Sequence, residues 1–130
     1  MMVVDASAIL EVLLNTPTAT RISKRLFATR QTLHAPHLLD LEVAHVLRRY
    51  WLAGDLSADR GLEALADLAN FPLTRYPHDL FLPRVWELRQ NFTAYDAAYL
   101  ALAETLRAPL VTRDQALASS SGHAASVELV

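Results

Sequence analysis

Four acidic residues in this sequence lie where the local pattern favours an apolar side chain or a turn. Asp96 falls in the first turn of an apolar stretch, beside Tyr95, and Glu42 is surrounded at helical spacing by leucines and valines. Asp5 and Asp114 each follow a short apolar run. Removing a carboxylate from water is costly unless a cation or several hydrogen bonds compensate. Four carboxylates in one place would raise one another's pKa values and attract a cation.

The available ligand types indicate which cation this would be. The sequence has no cysteine, and its five histidines show no pair four residues apart on one helix. His34 and His37 lie on opposite sides of Pro36, and we interpret them as non-ligands. A site built from carboxylate oxygens alone suits a hard ion, and we therefore expect Mg²⁺ or Mn²⁺, with one or two ions per site.

Three of the four acids also have a purely structural interpretation. Asp5 and Asp114 are well placed to cap the helices that follow them, and Asp96 could simply complement a helix dipole. On position alone these alternatives are about as good as the metal interpretation. Glu42 has little structural reason to lie in the middle of an apolar helix face. Asp40 points nearly the opposite way from Glu42, and we expect it to be a solvated acid of the first helical turn.

The elements that must position these acids alternate between strands and helices. Apolar runs predict strands at MMVV, TLHA, FPLTRY, PLVT and SVELV. In the first half of the chain, helices are predicted over SAILEVLLN, from Thr16–Pro17 to about Ala28, and over HLLDLEVAHVLRRYWLA, which Gly54 ends. In the second half, helices are predicted after Ser57, from about 79 to 90 and from 93 to 107, with a short helical turn over DQALA. Such alternation predicts an α/β fold around a mostly parallel sheet of four or five strands. The working site of such folds lies at the carboxyl edge of the sheet, where Asp5 and Asp114 fall.

Composition narrows the class of protein. The 130 residues are 52% hydrophobic and 20% charged, which predicts one globular domain over 1–130. The lack of cysteine suits a reducing cytoplasm, and Asp5 and Glu11 interrupt the first apolar run, so we expect neither a signal peptide nor a membrane span. The three glycines build no phosphate-binding loop. A phosphatase-like α/β domain remains an alternative, although no second aspartate follows Asp5 in a D-x-D arrangement.

Basic residues suggest an anionic partner in spite of the net charge of −2. Setting the four acids aside changes the formal balance of the remaining surface to +2. Eleven of the twelve basic residues are arginine, whose side chain suits bidentate phosphate contacts. The candidate RNA-binding residues are Arg113, Arg21, Lys24 and Arg25, and Arg30, Arg48 and Arg49 extend the basic clusters on the second and third predicted helices. Solvated helix faces are the simpler explanation for most of them.

Four segments together carry a family resemblance that covers the whole chain. They are VVDASAILEVLL, PHLLDLEVAHVLRR, TAYDAAYLALAETL and PLVTRDQAL. In this order and at this separation they resemble the PIN-domain ribonucleases, and within them the VapC toxins of bacterial toxin–antitoxin pairs. The resemblance implies a three-layer α/β/α sandwich. It places Asp5, Glu42, Asp96 and Asp114 at the positions of the metal-binding catalytic acids, and Ser7 and Thr112 at hydroxyl positions lining the site.

The same resemblance implies an activity and partners. The expected activity is metal-dependent endonuclease cleavage of RNA that leaves a 5′-phosphate and a 3′-hydroxyl, with a metal-activated water as nucleophile. The expected partners are an RNA substrate, a VapB-like antitoxin and a second copy of the chain in a homodimer. Exposed members of the stripe Leu62, Leu65, Leu68 and of the cluster Phe81, Leu82, Val85, Trp86 would supply apolar contacts. Trp51, Trp86 and the tyrosines are interpreted as core or interface rather than as base-stacking platforms.

The sequence departs from the family pattern at two places. His45 stands where an asparagine is common, and Gln115 and Ala116 stand where some relatives carry a further acid. These departures leave the metal geometry and the occupancy of a second ion open. A catalytically silent PIN-like binding module is the alternative to the enzyme, and the presence of all four acids argues against it.

Overall fold

The computed structural model describes residues 1–130 and places a parallel five-stranded sheet between two layers of helices. The elements in chain order are β1 Met2–Val4, α1 Ala6–Leu13, α2 Ala19–Leu26, β2 Leu33–Pro36, α3 Leu38–Leu52, α4 Ala58–Ala69, β3 Leu73–Tyr76, a 3₁₀ turn Asp79–Phe81, α5 Leu82–Glu87, α6 Ala94–Leu106, β4 Leu110–Thr112, α7 Gln115–Ala118 and β5 Val127–Leu129.

The sheet has the strand order β3-β2-β1-β4-β5, and every neighbouring pair is parallel. Helices α1 to α4 contact one another, whereas α5 packs on α6, which lies against β1, β2 and β4. The predicted α/β/α sandwich is therefore confirmed. The first and fourth strands are central, so the residues that follow them, Asp5 and Arg113–Asp114, emerge side by side at the carboxyl edge.

Burial of apolar residues explains why the central elements form. Every residue of β1, β2 and β4 is buried, as expected for parallel strands covered on both faces. The middle of α6, from Ala97 to Ala103, is buried throughout, which is unusual for a helix and makes it the central helix of its layer. No helix in the chain combines the length and the apolar character needed to cross a membrane.

Two helix predictions were inaccurate, one at its start and the other in its continuity and extent. The second helix begins at Ala19 rather than at Thr16–Pro17, because the Thr16 hydroxyl binds the Glu11 carboxylate instead of capping a helix. The region predicted as one helix from 79 to 90 is a 3₁₀ turn followed by the short helix α5. Here the local hydrogen bonds, which sequence periodicity does not describe, determine where the helix begins.

Several large apolar residues lie outside the core. Leu62, predicted in a leucine stripe, is 69% exposed, and Trp86, Trp51 and Tyr95 are 68%, 52% and 65% exposed. Interpreting these aromatic residues as core was therefore wrong, whereas a role in an interface stays a prediction. Asp40 is not simply solvated, since it accepts hydrogen bonds from the Arg75 guanidinium at 2.8 and 3.0 Å.

The two glycines around α4 offer a test of backbone conformation. Gly54 ends α3 with a φ of +81°, and a Cβ there would meet no atom within 4 Å. We expect Gly54→Ala to destabilise the protein by about 1 kcal/mol through backbone strain alone. Gly61 lies inside α4 with room for a Cβ, and we expect Gly61→Ala to stabilise by about 0.5–1 kcal/mol. Urea unfolding of both variants measures the change in the free energy of unfolding. Changes of the same sign in the two variants would contradict the prediction.

Candidate metal centre

All four predicted acids line a single cleft of about 760 Å³ at the carboxyl edge of the sheet. Asp5 follows β1, and Asp114 follows β4 by two residues. Glu42 projects from the second turn of α3, and Asp96 from the first turn of α6. Residues separated by up to 109 positions in the chain thus meet in one place, because the central strands end there.

Asp5 is held at the bottom of the cleft and is only 8% exposed. Its Oδ1 accepts hydrogen bonds from the Ser7 hydroxyl at 2.6 Å and from the Ala8 amide at 3.3 Å, and its Oδ2 accepts one from Thr112. Burial raises the pKa of Asp5, whereas these hydrogen bonds oppose the rise. Asp5 is therefore the N-cap of α1 and also part of the acidic cleft, so the two interpretations from sequence are compatible.

Ser7 and Thr112 tie the ends of the two central strands together. The Arg113 amide donates to the Ser7 hydroxyl at 2.9 Å, and the Asp114 amide donates to the Thr112 hydroxyl at 2.9 Å. Both hydroxyls donate to Asp5 in turn. Each hydroxyl thus positions the Asp5 carboxylate and the backbone that leads to Asp114.

Glu42 is oriented by a tyrosine from the neighbouring helix. The buried Tyr99 hydroxyl donates a hydrogen bond to Glu42 Oε1 at 2.7 Å. Burial raises the pKa of Glu42, and repulsion from Asp5 and Asp96 adds to the rise, while the Tyr99 hydrogen bond opposes it. Sequence analysis placed Tyr99 on an apolar stripe and missed this contact, because the stripe gives no sign of the partner's position.

Asp96 is the least supported of the four carboxylates. Its side chain accepts no hydrogen bond, and the N-terminus of α6 is capped by the Thr93 hydroxyl, which accepts from the Asp96 amide at 3.2 Å. Burial raises the pKa of Asp96, and repulsion from Asp114 and Asp5 raises it further. Since α6 already has a cap, helix capping gives no reason for a carboxylate at position 96.

Asp114 has a structural role as well. Its Oδ1 accepts hydrogen bonds from the Ala116 and Leu117 amides at 2.9 and 3.2 Å and so caps α7. The second oxygen, Oδ2, has no protein donor. A carboxylate that uses one oxygen for the backbone still has the other for a ligand.

The donor set fits a hard divalent ion, although the side chains are not arranged around one point. None of the four carboxylates forms an ion pair with an arginine, lysine or histidine. No three acidic or histidine side chains lie close enough together to hold one ion as they stand. Asp96 accepts no hydrogen bond, so rotation about its side-chain torsions can turn its carboxylate toward the other acids.

The predicted basic contacts are only partly at the cleft. Arg113 lines it, but its guanidinium already donates to the Val130 carbonyl at 2.7 Å and lies 3.7 Å from Glu11. Arg25 is in an ion pair with Glu128 at 2.6 Å. Arg21 and Lys24 are on α2 and do not line the cleft.

The cleft is also lined by residues that were not predicted as its lining, although Arg49 was noted from the sequence among the basic residues of a possible approach path. His45, Arg49 and Tyr50 line it from α3, and Tyr95 lines it from α6. The signal that could have found the first two is their spacing, because positions three and seven residues after Glu42 share its helix face.

Comparison with known proteins identifies the family of this chain. Residues 2–121 match the PIN domain family. Over 130 residues the chain is 40% identical to ribonuclease VapC12 of Mycobacterium tuberculosis, a match that covers 100% of this chain and 99% of that protein. The chain belongs to the PIN-domain family, among the VapC ribonucleases.

Solved PIN-domain structures share the fold at much lower identity. The crystal structure of VapC20 from Mycobacterium tuberculosis, a sarcin–ricin loop cleaving toxin, superposes with a TM-score of 0.71 at 14% identity and covers 95% of this chain and 97% of that one. A toxin–antitoxin complex from Klebsiella pneumoniae gives a TM-score of 0.67 at 18% identity, over 92% of each chain. The fold therefore persists where most side chains differ.

The burial of the Asp96 carboxylate beside other acids should be measurable as lost stability. The raised pKa of Asp96 means that the folded state binds protons more readily than the unfolded state, so its cost is present at neutral pH and relieved as pH falls through the raised value. We expect Asp96→Asn to raise the melting temperature by about 2–5 °C at pH 7 without divalent ions. The difference from wild type should shrink toward pH 4, as scanning calorimetry would show.

Asp5→Asn is the matched comparison. An asparagine amide would face three donors, from Ser7, Ala8 and Thr112, and leave at least one unpaired, which costs about 1–3 kcal/mol. We expect a lower melting temperature than wild type. Equal stabilisation by both substitutions would contradict the different surroundings described for the two carboxylates.

Proposed function

We propose that this chain is the toxin of a VapBC-type toxin–antitoxin system and acts as a metal-dependent endoribonuclease. The observation that carries the proposal is the meeting of four carboxylates, none paired with a cation, in one open cleft. Membership of the VapC ribonucleases supports RNA as substrate. Residues 1–130 would act as a single PIN domain.

Asp5, Glu42, Asp96 and Asp114 would hold Mg²⁺ or Mn²⁺, one or two ions per site. Such an ion, when bound, lowers the pKa of a water and offsets negative charge on the phosphate during hydrolysis. Four carboxylates without a counterion favour divalent-ion binding, because the ion relieves their repulsion. The products would carry a 5′-phosphate and a 3′-hydroxyl.

The protein's own contribution is to hold these acids in place. Ser7 and Thr112 fix both oxygens of Asp5, and Tyr99 fixes one oxygen of Glu42. Asp96 and the free oxygen of Asp114 keep their freedom to turn toward a ligand. An RNA strand must enter the cleft to bring its phosphate to these groups, which favours single-stranded or looped RNA.

A basic antitoxin and a second copy of the chain are the proposed protein partners. The Klebsiella pneumoniae toxin–antitoxin complex of the same fold supports a VapB-like antitoxin. A cationic side chain of that antitoxin would neutralise the acids and block the site. Exposed Leu82 and Trp86, on α5, supply apolar surface suited to a homodimer contact. An RNA substrate and a chain without cysteine fit the cytoplasm.

Cleavage of labelled RNA tests the proposed activity. Wild type should cleave with Mg²⁺ or Mn²⁺ and lose activity in EDTA. Asp96→Asn removes a charge from the centre and should reduce kcat/KM at least about 100-fold. A wild type that cleaves no RNA offered, or a variant that cuts as fast, would favour the catalytically silent alternative.

Thr112 offers a sharper test of how Asp5 is positioned. Thr112→Val removes the hydroxyl that binds both Asp5 and the Asp114 amide, and we expect kcat to fall about 10- to 100-fold. Thr112→Ser keeps the hydroxyl and should retain activity within a few-fold. If Thr112→Ser loses as much kcat as Thr112→Val, the hydroxyl at position 112 does not position Asp5 for activity.

A further inference from the structure

Arg49 differs from the other basic residue at the cleft in having no intramolecular partner. Two basic side chains line the cleft, Arg49 and Arg113. Arg113 is engaged by Glu11 and the Val130 carbonyl. Arg49 forms no side-chain hydrogen bond and no ion pair, and it is exposed. An unpaired guanidinium beside an acidic centre is therefore available to an anionic ligand.

The position of Arg49 on α3 relates it directly to the acids. Glu42, His45 and Arg49 are spaced by three and four residues and lie on one helix face that lines the cleft. At a rise of 1.5 Å per residue, Arg49 lies about 10 Å along the helix axis from Glu42. This separation suits a phosphate next to the cleaved one rather than the cleaved phosphate itself.

Tyr95 supplies an aromatic face on another helix that borders the cleft. It immediately precedes Asp96 at the start of α6, lines the cleft, and is 65% exposed. Its hydroxyl forms no hydrogen bond within the protein. An exposed ring beside an acidic centre adds nothing to the core but offers a surface on which a nucleobase can stack.

We propose that Arg49, on α3, and Tyr95, on α6, bind the RNA strand beside the acidic centre. Arg49 contacts a phosphate flanking the scissile bond, and Tyr95 stacks on an unpaired base. This inference rests on the proposed function and replaces Arg21, Lys24 and Arg25 as substrate contacts. It also accounts for selection of single strands, because only an unpaired base presents its face to Tyr95.

Each residue has a simpler explanation that a matched control can address. Arg49 lies in the last turn of α3, where a cation complements the helix dipole. Arg48 is its neighbour in sequence, is also exposed and unpaired, and does not line the cleft. Tyr95 could instead contact a protein partner, and Trp51, 52% exposed and outside the cleft, is the control for an exposed aromatic residue.

The experiment measures binding of a fluorescently labelled single-stranded oligoribonucleotide by anisotropy in Ca²⁺, with the length of the RNA checked on a gel afterwards. Arg49→Ala should weaken binding about tenfold and reduce the slope of log affinity against log salt by about 0.7, as expected for one lost phosphate contact on a single strand. Arg48→Ala should leave both the affinity and the slope within error of wild type.

Tyr95→Ala should weaken binding about 5- to 150-fold, the range for one base stack, whereas Tyr95→Phe and Trp51→Ala should stay within twofold. Arg49→Ala and Tyr95→Ala that behave like their controls would overturn the inference, as would a loss confined to antitoxin binding. If the wild type cleaves RNA but the Arg49→Ala and Tyr95→Ala variants bind RNA normally, the proposed RNA contacts are rejected and the proposed function is not. Wild type that neither binds nor cleaves RNA rejects the proposed function together with it.

Discussion

The burial of several carboxylates in one cleft, with the repulsion among them, is the constraint around which this site is built. Asp5, Glu42 and Asp96 all have raised pKa values, and burial is the largest cause for each. Burial weakens solvent screening and so strengthens the repulsion. The fold tolerates this because hydroxyl donors from Ser7, Thr112 and Tyr99 compensate two of the carboxylates. The arrangement of the acids in this cleft thus depends on the neutral donors around them as well as on the acids themselves.

The same side chains build the fold and the site. Asp5 and Asp114 cap α1 and α7, which fixes their backbone positions at the ends of the central strands. A carboxylate has two oxygens, and Asp114 caps with only one of them. Capping therefore fixes where the acid lies while leaving an oxygen for a ligand. Because one carboxylate can serve both purposes, a helix cap and a metal ligand were equally good interpretations of these positions.

The acids at the centre of the cleft are surrounded by residues of mixed chemistry, both basic and aromatic. One side presents the α3 face with Arg49, and another presents the exposed ring of Tyr95. The other arginines named from sequence are engaged elsewhere or lie away from the cleft: Arg25 holds β5 through Glu128, and Arg113 binds the chain's last residue. A count of basic residues in the sequence therefore overstates the number of cationic side chains that can bind a polyanion, because several of them already form ion pairs within the protein.

The sequence by itself determined the alternation of strands and helices and the parallel sheet, because these depend on apolar runs, caps and local spacing that each segment carries alone. It also singled out the four acids, through their places in those patterns and through the family resemblance, and their role as metal ligands stays a prediction. It misplaced the start of α2, where the Thr16 hydroxyl binds Glu11 instead of capping a helix. Only the tertiary structure decided that Tyr99 binds Glu42 and that Arg25, rather than Arg49, is paired. Those contacts join residues 57 and 103 positions apart, and no local pattern specifies which distant side chain completes a hydrogen bond.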